Sequence, residues 1–230
     1  TLLATAKERL EKIRRLEKES GAVVVDEGDG KFRFSYDFEK REQMSAFQSL
    51  EGRKGTWDLA DGRLKGGGSP AVMWKRLVDG DVAVEFTLFP LDEQNIAVNL
   101  CYSSVRDQQY YSCIFGLNIV EGDIERKHGL PEAGVFKYPI DAKMKDWLLP
   151  SFWEEWKRRT VGRALGDFRI APLGKYRIRI ERKGSAIKMV ADGAAIWEGD
   201  DGEYSRGHVV FSLSNSKAQI DDLSIIVTVK

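Results

Sequence analysis

Two polar residues near the middle of the chain interrupt apolar runs at strand spacing. Glu85 lies within Asp81–Phe89 and Asn99 within Asn95–Tyr102, and each shares one strand face with small residues. Successive side chains of a strand point to opposite faces, so neighbouring strands would place both residues on one sheet face. There a carboxylate can serve as general acid or base, and an amide can bind a ligand hydroxyl. The alternative is an ordinary solvent-exposed sheet face.

The same alternation predicts where the side chains around Asn99 point. Tyr102 is expected on the apolar face of its strand, opposite Asn99 and Cys101. A simple hairpin would place Cys101 opposite Cys113, as two reduced thiols or as a cross-strand disulfide, which is often strained. These two cysteines form neither a disulfide framework nor a zinc site.

Aromatic side chains are the second group of candidate ligand-binding residues. Trp74 and Tyr110 belong to further predicted strands. The others lie in one segment that breaks the strand rhythm: Trp147, Phe152, Trp153 and Trp156. On a helix, Phe152 and Trp156 share one face and Trp153 turns away. Such rings can stack on sugar rings, and the alternative is packing against the protein core.

Motifs for several common chemistries are absent from the sequence. There is no Gly-x-Ser-x-Gly, P-loop or dinucleotide-binding motif, and His128 and His208 are the only histidines. No cluster of metal-binding residue types has ligand spacing, so no cofactor is predicted. The acidic turns Asp26–Gly30 and Asp200–Glu203 could bind calcium, although such turns are common without metal.

Composition narrows the class of protein. The 230 residues fit one large β domain, and 42% hydrophobic residues are enough for a core. Lys and Arg balance Asp and Glu at 36 each, which argues against a nucleic-acid partner. No apolar run approaches the roughly 18 residues of a membrane span, so no membrane partner is predicted. Because the chain begins at Thr1, we expect a processed form or an excised domain.

Short alternating strands and turns from Phe47 to Val229 predict an all-β fold, a two-sheet antiparallel β-sandwich or jelly roll. Apolar residues at helical spacing predict an N-terminal helix, with 1–21 as one unit and 22–230 as the sandwich. An isolated helix this short is marginal in water, so it needs a partner surface. We expect it to dock on its own sandwich in a monomer; the alternative is an oligomer formed through the helix. Residues from about 119 to 168 predict a helical insertion with a short helix at 151–160.

Several segments resemble one known superfamily. They are Gly174–Gly184, Val190–Ala194, Gly207–Leu213 and Ile220–Ile225, with an opening at Trp57 and Asp61–Leu64. They resemble strands of concanavalin A-like lectin/glucanase domains, most of all the branch with laminin-G-like modules and bacterial 3-keto-disaccharide hydrolases. The resemblance covers about residues 47–118 and 170–229.

The resemblance implies a carbohydrate-associated module that binds a glycan on the concave face, with the insertion as one wall. It favours an extracellular or periplasmic location. One alternative is a glycoside hydrolase or lyase acting on a modified sugar, with Glu85 as acid or base. Another is a structural or interaction module that works through the N-terminal helix. The Glu-x-Asp-x-Glu run of retaining glucanases is absent, and the Asn-Ser-Gly segment of the hydrolases is replaced by Asp92–Ala97.

Overall fold

The computed structural model describes residues 2–92, 95–104, 109–115, 133–138 and 150–229. The helices are α1 Leu2–Ser20, a 3₁₀ helix Arg41–Ala46 and α2 Pro150–Arg158. The strands are β1 Val23–Gly28, β2 Lys31–Tyr36, β3 Phe47–Ser49, β4 Gly55–Ala60, β5 Arg63–Gly68, β6 Ala71–Trp74, β7 Val78–Asp79, β8 Val82–Pro90, β9 Asn95–Tyr102, β10 Tyr110–Phe115, β11 Ala133–Tyr138, β12 Arg163–Ala164, β13 Tyr176–Lys183, β14 Ala186–Ala191, β15 Ala194–Asp200, β16 Arg206–Ser214 and β17 Ser216–Thr228.

The strands form two sheets, which we call sheet A and sheet B. Sheet A has ten strands in the order β1-β2-β17-β8-β13-β14-β15-β12, with β5 paired to β17 and β4 to β5. Sheet B has seven strands in the order β11-β10-β9-β16-β6-β3, with β7 paired to β16. The described pairs are antiparallel, for example β8 with β17 and β9 with β16. This confirms the predicted antiparallel β-sandwich.

The core lies between the two sheets and joins aromatic rings from both. Phe86 of sheet A meets Phe211 of sheet B edge to face, with ring centroids 5.9 Å apart. Phe34 of sheet A contacts Trp74 of sheet B at 5.3 Å, and the Trp74 indole N–H donates to the Tyr36 hydroxyl at 2.8 Å. Burying side chains of this size is a main source of stability for such a sandwich.

Helix α1 packs on its own sandwich, as the sequence predicts. Leu16 is 2% exposed and belongs to the main core. The Glu17 carboxylate accepts a hydrogen bond from the backbone N–H of Val24 at 3.3 Å, and Arg9 pairs with Asp26 at 2.6 Å. Because β1 is an edge strand, these contacts cover backbone groups that could otherwise pair with another chain. Of the helices described here, none has the length and apolar character to cross a membrane.

The predicted insertion at 119–168 contains strands as well as a helix. Strand β11 forms one edge of sheet B, and β12 forms one edge of sheet A. The chain after α2 runs beside β11, with hydrogen bonds from Val161 N to Val135 O at 2.8 Å and from Lys137 N to Arg159 O at 2.9 Å. The part of the insertion at 119–132 and 139–149, which includes Trp147, lies outside the described residues. The insertion therefore extends sheet B in addition to supplying α2.

Candidate functional site

Three tyrosine rings lie together on the outer face of sheet B. We call Tyr102 of β9, Tyr110 of β10 and Tyr138 of β11 the tyrosine patch. Tyr110 and Tyr138 pair in register, and their rings stack with centroids 4.5 Å apart and planes inclined by 11°. Tyr102 and Tyr110 are 5.4 Å apart and tilted. Tyr110 and Tyr138 are half-buried, so part of each ring stays accessible to a ligand.

A β-bulge brings Tyr102 onto this face. The pairing of β9 with β16 slips by one residue, and Cys101 has a φ of +58°. Cys101 therefore turns into the main core, while Tyr102 packs outside it, on the side of Asn99. Gly207 on the partner strand is required there, because a Cβ would lie 2.3 Å from the carbonyl carbon of Cys101. The prediction that Tyr102 lies on the opposite strand face from Asn99 is thus wrong.

Asn99 supplies a polar group on the same face. It pairs in register with Val210 of β16 and Ser112 of β10, and residues directly opposite each other share a face. The Asn99 amide N–H donates to the Ser212 hydroxyl at 3.3 Å. The residue is 6% exposed, and its Oδ1 has no hydrogen-bond partner among the described residues. An unpartnered buried acceptor costs about 1–3 kcal/mol.

Helix α2 closes one side of the tyrosine patch. Trp156 is 9% exposed and packs on Phe136 with centroids 4.8 Å apart. Its ring also meets Tyr138 edge to face at 6.2 Å. The backbone of Trp153 belongs to α2, and its side chain lies outside the described part of the structure, as does that of Phe152. Trp156 therefore packs against Tyr138 at one side of the patch, and direct contact of Trp153 with a ligand stays a prediction.

The tyrosine patch is uncharged. Burial raises the pKa of Tyr110 to about 12 and also raises the pKa values of Tyr102 and Tyr138, so the phenols keep their protons. The positive charge of Arg53 lowers the pKa of each phenol by a smaller amount. The strands on the path from β11 to β3 contain neither Asp nor Glu. The patch can therefore donate and accept hydrogen bonds without carrying charge itself.

The structure separates Glu85 from Asn99. Glu85 is in β8 of sheet A and Asn99 in β9 of sheet B, so they lie on opposite outer faces. The Glu85 carboxylate pairs with Arg33 at 2.8 Å and with Arg179. The predicted shared face is wrong because the chain crosses between the sheets after β8. The alternation of apolar and polar residues predicts which face of a strand a residue lies on, but it does not predict which sheet the strand belongs to.

Two further expectations about individual residues are corrected by the structure. Trp74 is 1% exposed in the core, where Tyr36 accepts its indole N–H, so it cannot contact a ligand on the surface. Cys113 lies opposite Val98 and not opposite Cys101. Both thiols are free and buried, and burial raises the pKa of Cys101 to about 11. They are inert core residues under ordinary conditions.

A polar pocket of about 450 Å³ lies beside β11 and the end of α2. Its wall includes Lys137, whose Nζ donates to the Asp201 carboxylate at 2.8 Å, and the buried Tyr111 hydroxyl donates to the same carboxylate at 2.6 Å. Burial tends to raise the pKa of Asp201, but the hydrogen bonds from Lys137 and Tyr111 prevail and lower it. Lys137 and Asp201 of this pocket therefore neutralise each other.

The acidic turns named as calcium candidates already have protein partners. The Asp201 carboxylate accepts hydrogen bonds from Lys137 and Tyr111. The Asp26 carboxylate accepts hydrogen bonds from Arg9 and from the Gly28 N–H, the latter at 2.8 Å. Within the described ranges, no three His, Cys, Asp or Glu side chains come together in a way that could hold a metal ion.

Neither a protein-family model nor a curated protein matches the sequence. Solved structures do match the fold. A Bacillus subtilis protein of unknown function with a galectin-like fold aligns over 85% of this chain and 96% of its own, at 10% identity and a TM-score of 0.62. The carbohydrate-binding module CBM66 from Bacillus subtilis aligns over 78% and 94%, at 14% identity and a TM-score of 0.54.

The exoplasmic/lumenal domain of VIP36 in its Ca²⁺/Man-bound form aligns over 85% of this chain and 89% of its own, at 8% identity and a TM-score of 0.56. At such low sequence identities, the similarity to these structures is evidence for the fold alone. The matches confirm the predicted β-sandwich fold, and the concanavalin A-like superfamily stays a prediction. The branch within the superfamily stays a prediction.

Proposed function

We propose that this protein is a carbohydrate-binding module whose glycan site is the tyrosine patch together with Asn99. The observation that carries the proposal is the Asn99 amide, buried beside the patch with Oδ1 unpartnered. A sugar offers hydroxyl donors to such an acceptor. It also offers C–H surface to aromatic rings, which are well suited to pack against it.

The similar structures support this proposal. One is a carbohydrate-binding module, and another is a lumenal domain with mannose bound. Unlike the mannose-bound domain, which also holds calcium, this chain has its described acidic turns engaged by Arg9, Lys137 and Tyr111. We therefore expect glycan binding to persist in the presence of a calcium chelator.

Hydrolysis at the same face receives no support from the described residues. Glycosidases use two carboxylates that flank the scissile bond, and the strands that carry the patch contain none. Glu85, the predicted acid or base, is on the opposite side of the sandwich and is shared by Arg33 and Arg179. Binding is the function that fits this arrangement.

The test is a glycan array probed with the wild-type protein and with Tyr110→Ala. We expect wild-type binding to a defined set of glycans, and an affinity at least about tenfold lower for the variant, since an aromatic contact and its buried area are lost. Glu85→Gln is the matched control from the other sheet and should bind like wild type. Absence of wild-type binding to any glycan, or equal binding by Tyr110→Ala, would contradict the proposal.

A further inference from the structure

The loop between β3 and β4 begins on the tyrosine patch. Leu50 packs against the cluster of Ala71, Tyr102 and Val210 on which Tyr110 also packs. Its backbone N–H donates to Ala71 O at 2.9 Å, which fixes the start of the loop. Lys54 anchors the other end, because its carbonyl accepts a hydrogen bond from Ser69 N at 2.5 Å. The short segment between these anchors is therefore held next to the patch.

Arg53 is the cation that this loop places at the patch. Its side chain is exposed, and no carboxylate of the described residues forms an ion pair with it. The loop anchors at Leu50 and Lys54 place Arg53 beside the patch, and its positive charge accordingly lowers the pKa values of the three patch tyrosines. Arg33 and Arg179 on sheet A differ, because each is paired with Glu85.

We propose that the glycan bound at this site is anionic and that Arg53 binds its carboxylate or sulfate group. This inference rests on the proposed glycan site. A guanidinium forms bidentate, charge-assisted hydrogen bonds with planar or tetrahedral oxyanions, and these are stronger than bonds between neutral groups. The patch has neutral phenols and an amide, and strands β9, β10 and β11 contain no acidic residue, so within the described residues no carboxylate of the patch competes with a ligand for Arg53.

The experiment compares matched glycans that differ only in charge. One pair is an oligogalacturonate and its methyl ester, and the other is a sulfated galactan oligosaccharide and its desulfated form. An array with neutral and anionic glycans is probed first, and the hits and both pairs are then titrated calorimetrically. We expect the anionic member of at least one pair to bind about tenfold or more tightly, and the pair that responds distinguishes carboxylate from sulfate.

Two variants test whether Arg53 causes the preference for anionic glycans. Arg53→Gln should abolish the preference for the anionic member, while Lys54→Gln in the same loop should keep it, and both should melt like wild type. Preference for anionic glycans that survives Arg53→Gln overturns the role of Arg53. Binding of neutral glycans that equals or exceeds binding of anionic ones overturns the inference but leaves the glycan site. Failure to bind any glycan overturns both proposals.

Discussion

The outer faces of the two sheets differ in how their polar groups are satisfied. On sheet A, Glu85 is held between Arg33 and Arg179, and Arg179 also meets Glu181 at 3.2 Å. On sheet B, strands β9, β10 and β11 have no acidic residue, and the Asn99 amide oxygen has no hydrogen-bond partner among the described residues. One face has charges that are paired with each other, and the other has a buried amide oxygen beside the half-buried rings of Tyr110 and Tyr138.

Because of this difference, the outer face of sheet A is an ordinary charged protein surface, whereas the outer face of sheet B is the candidate for binding a ligand. Paired surface charges contribute little stability and offer little to a ligand, because each charge already has its partner. A buried acceptor without a partner lowers stability, and native proteins rarely keep one without a reason. We therefore propose sheet B as the ligand-binding side, although the sequence analysis gave equal weight to Glu85 on sheet A.

The largest expected effect is on the free energy of unfolding, and it follows from a substitution in α1, the helix that packs beside the edge strand β1 of sheet A. Leu16→Ala removes a buried side chain of α1 and should lower the free energy of unfolding by about 2–5 kcal/mol in a denaturant titration. Leu10→Ala, at 48% exposure in the same helix, is the matched control and should change it by less than about 0.5 kcal/mol. Folded Leu16→Ala protein should keep its glycan affinity. A lower affinity at unchanged stability would show that α1 acts on the binding face.

The second prediction concerns the charge cluster beside β11. Because the pKa of Asp201 is lowered in the folded protein, its carboxylate stabilises the fold above the ordinary aspartate pKa of about 3.9. This contribution is lost as the pH falls through the lowered value. Asp201→Asn should therefore reduce stability by about 2 kcal/mol at pH 7 and by much less near pH 3, measured by denaturation at each pH. An equal loss at both values would refute the electrostatic origin.

The third prediction separates binding from stability on sheet B. Asn99→Ala removes the unpartnered acceptor, so glycan affinity should fall about tenfold while the free energy of unfolding changes by less than about 1 kcal/mol. Calorimetric titration and thermal melting give the two quantities. Ser112→Ala, on the adjacent strand, is the matched control for a small polar side chain. A large loss of stability without a loss of affinity would make Asn99 a purely structural residue.

The smallest effect on stability is expected for a substitution on the outer face of sheet A, where Glu85 pairs with two arginines. Glu85→Gln leaves Arg33 and Arg179 facing a neutral amide, and because all three side chains are partly exposed the cost should be below about 1 kcal/mol. The difference from wild type should shrink further in high salt, where such pairs are screened. A change in glycan affinity for this variant would remove the distinction between the two faces.

Local patterns in the sequence predicted the sandwich, the N-terminal helix and the candidate Tyr110, because strand alternation and helical spacing are local properties. The alternating pattern could not predict the strand face of Tyr102, because the β-bulge at Cys101 moves the following side chain to the other face of the strand. Nor could it find Tyr138, whose contact with Tyr110 depends on the pairing of β11 with β10. The separation of Glu85 from Asn99 is likewise a matter of which sheet each strand joins.

The central claim is that a ligand binds on sheet B, and mapping the bound surface tests it most directly. Backbone amide shifts of the labelled protein, followed by NMR during titration with a glycan from the array, report the contacted strands. We predict that shifts concentrate in β9, β10 and β11 around Asn99 and the tyrosine patch. Shifts that concentrate in β2, β8 and β13 around Glu85 would contradict the account.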